Sequence, residues 1–362
     1  MKKGCVDLRT PSGRIICISD VHGEYRLLLE LLDRYPLGED DLLILLGDMI
    51  ERGDDSPQII ERIYSMRDDK RVLYLRGNWE QARLKLLNER DLDEICDFAH
   101  KRPNALMVQW ARQLGYDLTD RSVCEEGIDA IYEKYGDIIS WLNDRPYCAQ
   151  TDDYIFVHAG FSKMPDDLLE DPMSYLANGD FLTWQKNETG KWVIVGHWPV
   201  KNIIREDCTH NPVIDYERRI AGIDGGVHTT DYYQLNVLII ENGELSFDFC
   251  DYYEKTKCQK SVKVDKQNIC MHGDSWPDHR LEIVEKGEHF SYCRRVKSKR
   301  EGHLKNEFIM EDEKGPHAYF FAGALLDVEE GEIVSVLETN FTGYDLIKKE
   351  NGVIGWVPKG VI

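Results

Sequence analysis

The sequence predicts an α/β fold built on a largely parallel, buried sheet, followed by a small all-β region. Three observations predict it. Residues 14 to 98 alternate short apolar runs with amphipathic stretches. Strand-like runs return after a polar, helix-prone stretch at 80 to 145. Beyond residue 280, helical periodicity stops and short runs separated by turns take over. At 362 residues the chain suggests one large domain or two.

The elements follow in order. RIICIS is a short buried strand rich in β-branched residues, and EYRLLLELLDRY after it has apolar residues at helical spacing. DLLILLG is a second buried strand. SPQIIERIYSM is a second amphipathic helix, with Pro57 in its first turn where a missing N–H costs nothing. RVLYLRG is a third strand, and this βαβαβ rhythm argues for parallel pairing. The 80 to 145 stretch, with WARQLG and IYEKYGDIISWL, reads as a helical insertion over one end of the sheet. DYIFVHAG, KWVIVGH, RRIAGIDGG, YYQLNVLII and GELSFDFCDYY resume the strands. The last two form a hairpin across Glu241-Asn242-Gly243. Three segments result: a large α/β domain over 1 to 253, a charged irregular linker over 254 to 280, and a small β domain over 281 to 362.

Composition narrows the function classes. The formal net charge of −21 argues against a nucleic-acid partner, because such binders carry a basic footprint. No run of apolar residues is long enough to span a bilayer, so no membrane role is expected. The N-terminus MKKGCVDLRT has lysines but no apolar core behind them, unlike a signal peptide. Ten scattered cysteines read as reduced thiols of a cytoplasmic protein. Cys250, Cys258, Cys270 and Cys293 lack a C-x-x-C pair, so no structural zinc site is expected among them.

The chemistry sits at the strand ends. RIICIS runs into Asp20-Val21-His22-Gly23, DLLILLG into Asp48, RVLYLRG into Asn78, DYIFV into His158, and KWVIV into Gly196-His197. Ligands gather at the carboxyl ends of strands in α/β sheets, so these donors can converge. The set suits two divalent metals: Asp20, His22 and Asp48 for one, Asn78, His158 and His197 for the other, with Asp48 bridging. Mixed carboxylate and imidazole ligation suits manganese, with iron or zinc as alternatives, better than calcium. Two such ions about 3.5–4 Å apart clamp a phosphoryl group and supply a bridging hydroxide for in-line attack.

These motifs, together with Gly47-Asp48-Met49-Ile50-Glu51-Arg52-Gly53, Gly77-Asn78-Trp79-Glu80 and His158-Ala159-Gly160, resemble the calcineurin-like metallophosphoesterase superfamily. More narrowly, they resemble its phosphoprotein phosphatase (serine/threonine phosphatase-like) family, over about residues 14 to 250. The resemblance implies a four-layer α/β/β/α sandwich with a dinuclear metal site. It also implies that Arg52 contacts the substrate phosphate, which its planar fork fits bidentately. Lys186, in FLTWQKN, stands where the family often has a second basic residue. Asp224-Gly225-Gly226 resembles the family's late Asp-x-Gly turn; a loop that simply needs glycine is an adequate reading of it.

Two positions depart from the family pattern together. Glu51 stands where the family has Asp, and Trp79 where it has the His that protonates the leaving group. An indole N–H donates a hydrogen bond but delivers no proton at useful pH. General acid catalysis is typically worth about 10²–10⁴-fold. Glu51 is one methylene longer than Asp and is a candidate to take over as acid beside the indole. A metal-bound water, or mere packing by Trp79, are the other readings.

The tail EEGEIVSVLETNFTGYDLIKKENGVIGWVPKGVI resembles the later half of an SH3 domain, over about residues 329 to 362. The resemblance implies a peptide or protein ligand. Tyr344 stands where a groove tryptophan would be, and no tyrosine follows Pro358.

The functional expectation is a metal-dependent phosphomonoesterase of the serine/threonine phosphatase type, acting on a phosphorylated protein or small phosphoester. A dinucleoside polyphosphate hydrolase of the diadenosine tetraphosphate kind shares the scaffold and has a better leaving group. A noncatalytic phosphopeptide-binding adaptor is the rival from another class.

Overall fold

A computed structural model describes residues 4–203, 207–264, 278–318 and 324–362. The contacts divide the chain into two units: residues 1–200 with 212–250, and residues 201–211 with 251–362.

The first unit begins with β1 (Cys5–Asp7), β2 (Ile15–Ile18), α1 (Tyr25–Arg34), β3 (Leu42–Leu45), α2 (Ser56–Ser65) and β4 (Val72–Tyr74). The helical stretch follows as α3 (Asn78–Glu89), α4 (Leu92–Lys101), α5 (Leu106–Gln113) and α6 (Arg121–Asn143). Then come β5 (Cys148–Gln150), β6 (Tyr154–Val157), α7 (Met173–Leu176), α8 (Asp180–Thr183) and β7 (Trp192–Val195). The unit closes with β8 (Val213–Asp215), β9 (Ile220–Gly222), β10 (Leu235–Glu241) and β11 (Glu244–Cys250).

Two sheets result. One runs β11-β10-β2-β3-β4, with β2, β3 and β4 parallel. The other runs β1-β5-β6-β7-β9-β8, with β6, β7 and β9 parallel. The expected hairpin forms across residues 241–244. The alternation of β2 assigns its faces. Ile16 and Ile18 join the core beneath the helices, while Ile15 and Cys17 join a core shared with Phe156, Ile194 and Ala221 of the other sheet. The sheets therefore pack face to face, which is why β2 and β3 read as unbroken apolar runs rather than alternating ones. Helices α1 to α6 cover the outer face of the first sheet, with Leu27, Leu28 and Leu31 of α1 turned inward. The outer cover of the second sheet includes short α8, whose Leu182 lies 2.5 Å from where a Cβ on Gly222 of β9 would stand.

Among its described residues the second unit is all β apart from 3₁₀ turns. Its strands are β12 (Glu254–Lys257), β13 (Leu281–Glu285), β14 (Phe290–Arg295), β15 (Glu301–Lys305), β16 (Met310–Asp312), β17 (Gly315–His317), β18 (Ala324–Leu325), β19 (Ile333–Glu338), β20 (Tyr344–Lys349) and β21 (Ile354–Pro358). They form a sheet β12-β19-β20-β21-β18, a three-stranded β13-β14-β15 and a two-stranded β16-β17. No pairing among the described residues closes them into one barrel. The stretch expected as a linker starts with a paired strand, since β12 aligns antiparallel with β19, Glu254 opposite Val336. Its residues 265–277, Cys270 among them, lie outside the described residues. Trp356 is fully buried, with Phe290, Phe308 and Phe341 around it at 5.1 to 6.0 Å.

Candidate metal centre

Each expected donor follows a strand of one of the two sheets, at its carboxyl end. Asp20 and His22 follow β2, Asp48 follows β3 and Asn78 opens α3 after β4. From the facing sheet, His158 follows β6 and His197 follows β7. Two groups of ligand atoms result, each within 4.8 Å: Asp20, His22 and Asp48, and Asp48, His158 and His197. Asp48 belongs to both. Its Oδ2 lies 3.9 Å from His22 Nε2 and 3.3 Å from His158 Nε2. Asn78 Oδ1 accepts from His158 Nε2 and His197 Nδ1, both at 2.9 Å, so the amide completes the second group.

The backbone at these positions is bent to aim the side chains. Asp20, His22, Asp48, Glu51, Arg52 and His197 all have φ between 48° and 74°. Each such residue costs on the order of 1–3 kcal/mol, and such strain collects at functional sites. Gly196 allows the closest approach: a Cβ there would stand 2.0 Å from Ser19 Oγ and 2.1 Å from Asp20 Oδ2.

Outer contacts fix the donors. His22 Nδ1 donates to Ile50 O at 3.2 Å and His158 Nδ1 to Leu46 O at 2.9 Å, leaving each Nε2 for the site. Asp20 Oδ2 accepts from Ser19 Oγ at 2.5 Å and from His197 N at 2.9 Å. Glu80, buried at the start of α3, clamps the turn: its carboxylate accepts from the N–H groups of Asp48, Met49 and Gly77 at 2.9 to 3.0 Å.

Electrostatics test whether these residues suit a metal. Asp20, Asp48 and Asp224 are all nearly inaccessible, and Asp20 Oδ1 and Asp224 Oδ2 are buried without hydrogen-bond partners. Burial raises the Asp20 carboxyl above its ordinary range, and Asp224 and Asp48 push the same way. Burial raises Asp224 to about 7. Burial lowers His22 and His197 to about 4, keeping them in the neutral form that ligates. Burial also acts against a charged His158, but Asp48 and Asp20 outweigh it and lift that imidazole to about 10. Clustered buried carboxylates with unfilled oxygens call for cations, and a divalent ion supplies more charge than a proton on His158. The donor set suits divalent ions, which these residues would hold, and Asp48 is common to both groups.

The remaining expected residues fall as follows. Arg52 is half-buried beside the centre and its Nε has no hydrogen-bond partner. Lys186 is exposed after α8 and belongs neither to the metal groups nor to the pocket beside them. Glu51 is 1% exposed and burial raises its carboxyl to about 7. That carboxyl already has partners: Oε1 accepts from Leu106 N at 3.2 Å and Oε2 lies 3.5 Å from Arg83 Nε. Trp79 stands edge-on to His22, ring centroids 6.4 Å apart. Its own faces meet guanidiniums instead, Arg83 at 4.9 Å, Arg52 at 5.0 Å and Arg102 at 5.4 Å. A pocket of about 130 Å³ opens there, lined by Glu51, Arg52, Trp79, Lys101, Arg102, Pro103, Asn104 and Ala105. Arg83, Arg102, Glu80 and Asp224 carried no assigned role in the sequence reading. Only the Asp-x-Gly turn at Asp224 and the place of Glu80 in the Asn78 motif pointed toward them.

A two-sheet α/β sandwich with buried carboxylate and imidazole donors at the strand ends of both sheets is a scaffold suited to divalent metals. The family model described as Calcineurin-like phosphoesterase matches residues 13–219, more than half of the chain, and the chain belongs to that family. The symmetrical bis(5'-nucleosyl)-tetraphosphatase of Buchnera aphidicola is 30% identical over 103 residues, 27% of this chain and 37% of that one. A zinc-dependent endopolyphosphatase of Saccharomyces cerevisiae is 39% identical over 67 residues, 18% and 20% of the two chains. The chain thus matches well under half the length of either relative. Among solved structures, a protein serine/threonine phosphatase from Saccharomyces cerevisiae aligns with TM-score 0.42 and 13% identity, over 70% of this chain and 85% of that one. The cold-active protein tyrosine phosphatase of a Shewanella psychrophile aligns with TM-score 0.42 and 16% identity, over 69% and 82%.

Proposed function

We propose that this chain hydrolyses phosphoesters at the cluster of Asp20, His22, Asp48, Asn78, His158 and His197, with Arg52 holding the substrate phosphate. The observation that carries the reading is the position of Asp48, shared by both donor groups as a bridging carboxylate must be. Two divalent ions there, manganese first with iron or zinc as alternatives, would polarise the phosphoryl group and make water nucleophilic near neutral pH. The chain's own residues orient the reaction. Arg52 presents an unfilled guanidinium beside the centre, and the Leu46 and Ile50 carbonyls hold His158 and His22 in register.

The first substrate class is a phosphomonoester, including phosphoserine or phosphothreonine in a protein. Glu51, which lines the pocket with Arg52 and Trp79, is then the proton donor in place of the family's histidine. A second reading is hydrolysis of a dinucleoside polyphosphate. Trp79 in the acid slot favours it, because a phosphate leaves without a proton. The names of the two curated relatives, a tetraphosphatase and an endopolyphosphatase, point the same way. The SH3-like reading of residues 329–362, a peptide or protein ligand there, the division at 253 and 281, and a cytoplasmic setting belong to the same proposal.

The test is turnover of p-nitrophenyl phosphate with and without Mn²⁺, alongside metal content. Asp48→Asn is expected to lose kcat by about 10³-fold, the scale of losing a major electrostatic contact in a transition state, and to bind one ion fewer per chain. Turnover and metal content equal to wild type in that variant would overturn the dinuclear reading. Two bound ions with no turnover of any phosphoester would leave the adaptor.

A further inference from the structure

The pocket beside the metal centre is more basic than a single-phosphate site requires. Arg52, Arg83 and Arg102 crowd one indole, each with its guanidinium carbon within 5.4 Å of the Trp79 ring centroid. The one carboxylate lining the pocket, Glu51, sits 3.5 Å from Arg83, while Asp48, Asp224 and Asp20 act on Arg52 from farther off. Among the described residues neither Arg52 nor Arg102 has a carboxylate within 4.0 Å. The Nε atoms of Arg52 and Arg83 are buried without hydrogen-bond partners. Three like charges gathered on one ring repel, and the arrangement costs free energy unless an anion joins them. In a chain of net charge −21, a local excess of cations marks a place where anions are wanted.

We propose that the pocket formed by Arg52, Trp79, Lys101, Arg102 and Asn104 is a second phosphate subsite, and that the substrate is a phosphoanhydride whose leaving phosphate is received there. The proposal rests on the phosphohydrolase reading and names its substrate class. Its volume of about 130 Å³ suits one phosphate group, and Arg52 joins it to the centre. The guanidiniums bind a phosphate's oxygens in pairs, and the indole face holds their planes in place. Arg83 lies over the Trp79 ring at 4.9 Å, and its Nε sits 3.5 Å from Glu51 Oε2.

This subsite gives Trp79 a purpose. In the hydrolysis, the oxygen of water bonds to the phosphorus at the centre and the bond from that phosphorus to the bridging oxygen breaks. The electron pair stays on the bridging oxygen, and the second phosphate departs as an anion. The protons of the attacking water pass to solvent. An alkoxide leaving group would need a proton that indole cannot give. A phosphate needs only positive charge near the departing oxygen, which the arginines supply without reorganising.

The experiment uses the full chain with Mn²⁺ and measures kcat/KM for inorganic tripolyphosphate, diadenosine tetraphosphate, a phosphoserine peptide and p-nitrophenyl phosphate. Wild type and Arg102→Gln are compared; Arg102 is exposed at the end of α4, so the fold tolerates the change. The expected result is a preference for the anhydrides. In Arg102→Gln, kcat/KM on tripolyphosphate should fall about tenfold more than on p-nitrophenyl phosphate, the scale of one charge-assisted contact. Equal falls on both substrates, or a preference for the phosphoserine peptide, would overturn the subsite. Calorimetric binding of tripolyphosphate to metal-free protein separates the two claims. Binding that weakens in Arg102→Gln without turnover of any substrate keeps the subsite and rejects the hydrolase. Turnover of p-nitrophenyl phosphate without tripolyphosphate binding or hydrolysis does the reverse.

Discussion

Both units bury charge, but they treat it differently. In the second unit Lys348 is 1% exposed and its Nζ meets Asp251 Oδ2 at 2.6 Å. Lys305 is wholly buried and meets Glu307 at 2.6 Å, with the Phe290, Phe341 and Trp356 rings within 5.9 Å. Each of these two lysines has its anion. In the first unit, Asp20 and Asp224 keep carboxylate oxygens buried without hydrogen-bond partners, and three arginines share one ring. A buried charge with a partner holds a fold together. A buried charge without one waits for something the chain does not supply.

That contrast can be broken first at Lys348. Removing one partner of a buried pair costs about 3–5 kcal/mol, because the other charge is left unpaired. Asp251→Ala should therefore lower the stability of the second unit by that amount in urea unfolding, and Lys348→Met with Asp251→Leu should recover most of it. A single variant as stable as wild type would mean that the pair is already solvated.

The second test adds the missing partner. Metal-free protein should gain about 2.7 kcal/mol of stability when free Mn²⁺ reaches a hundred times its dissociation constant. The gain should show as a raised melting temperature for the first unit, and should shrink in Asp48→Asn. An equal gain in both proteins would place the bound ion elsewhere.

The smallest effect concerns Asp278, whose carboxylate accepts from the N–H groups of Lys297 and Ser298, both at 2.9 Å. Burial raises its pKa, but these bonds outweigh it and hold the folded value below the ordinary one. A depressed folded pKa gives stability that is present above the unfolded pKa, near 3.9, and lost as pH falls through the folded value. Asp278→Asn should remove about 1 kcal/mol at pH 7 and flatten the stability profile below about pH 4. An unchanged acid limb would assign the loss to other carboxylates.

The strand-end donors were legible because each follows a short unbroken apolar run, and the polar residue or glycine at the run's end marks where a strand stops. The helical stretch was legible through its periodicity, which the structure renders as α3 to α6. Arg83 and Arg102 were not legible as partners of Trp79. Their meeting depends on how α3 and α4 fold back beside the sheet, and no local pattern encodes that angle. The place of β12 was hidden for a similar reason. Glu254 pairs with Val336, and a charged strand at a sheet edge reads in sequence like a linker. The orientation of Glu51 depended on the N–H of Leu106, a contact across the insertion.

The contact at Gly196 makes the sandwich a gauge. Ser19 and Asp20 come from one sheet and Gly196 from the other, with no room for a methyl group between them. The spacing of the sheets is set by side chains such as Ala149, Ala221 and Phe156, well inside the core. A residue that swells this layer, Ala221→Leu for instance, would spread His158 and His197 away from Asp20 and His22 without altering any ligand. Metal affinity in this chain thus serves as a calliper for the thickness of its interior.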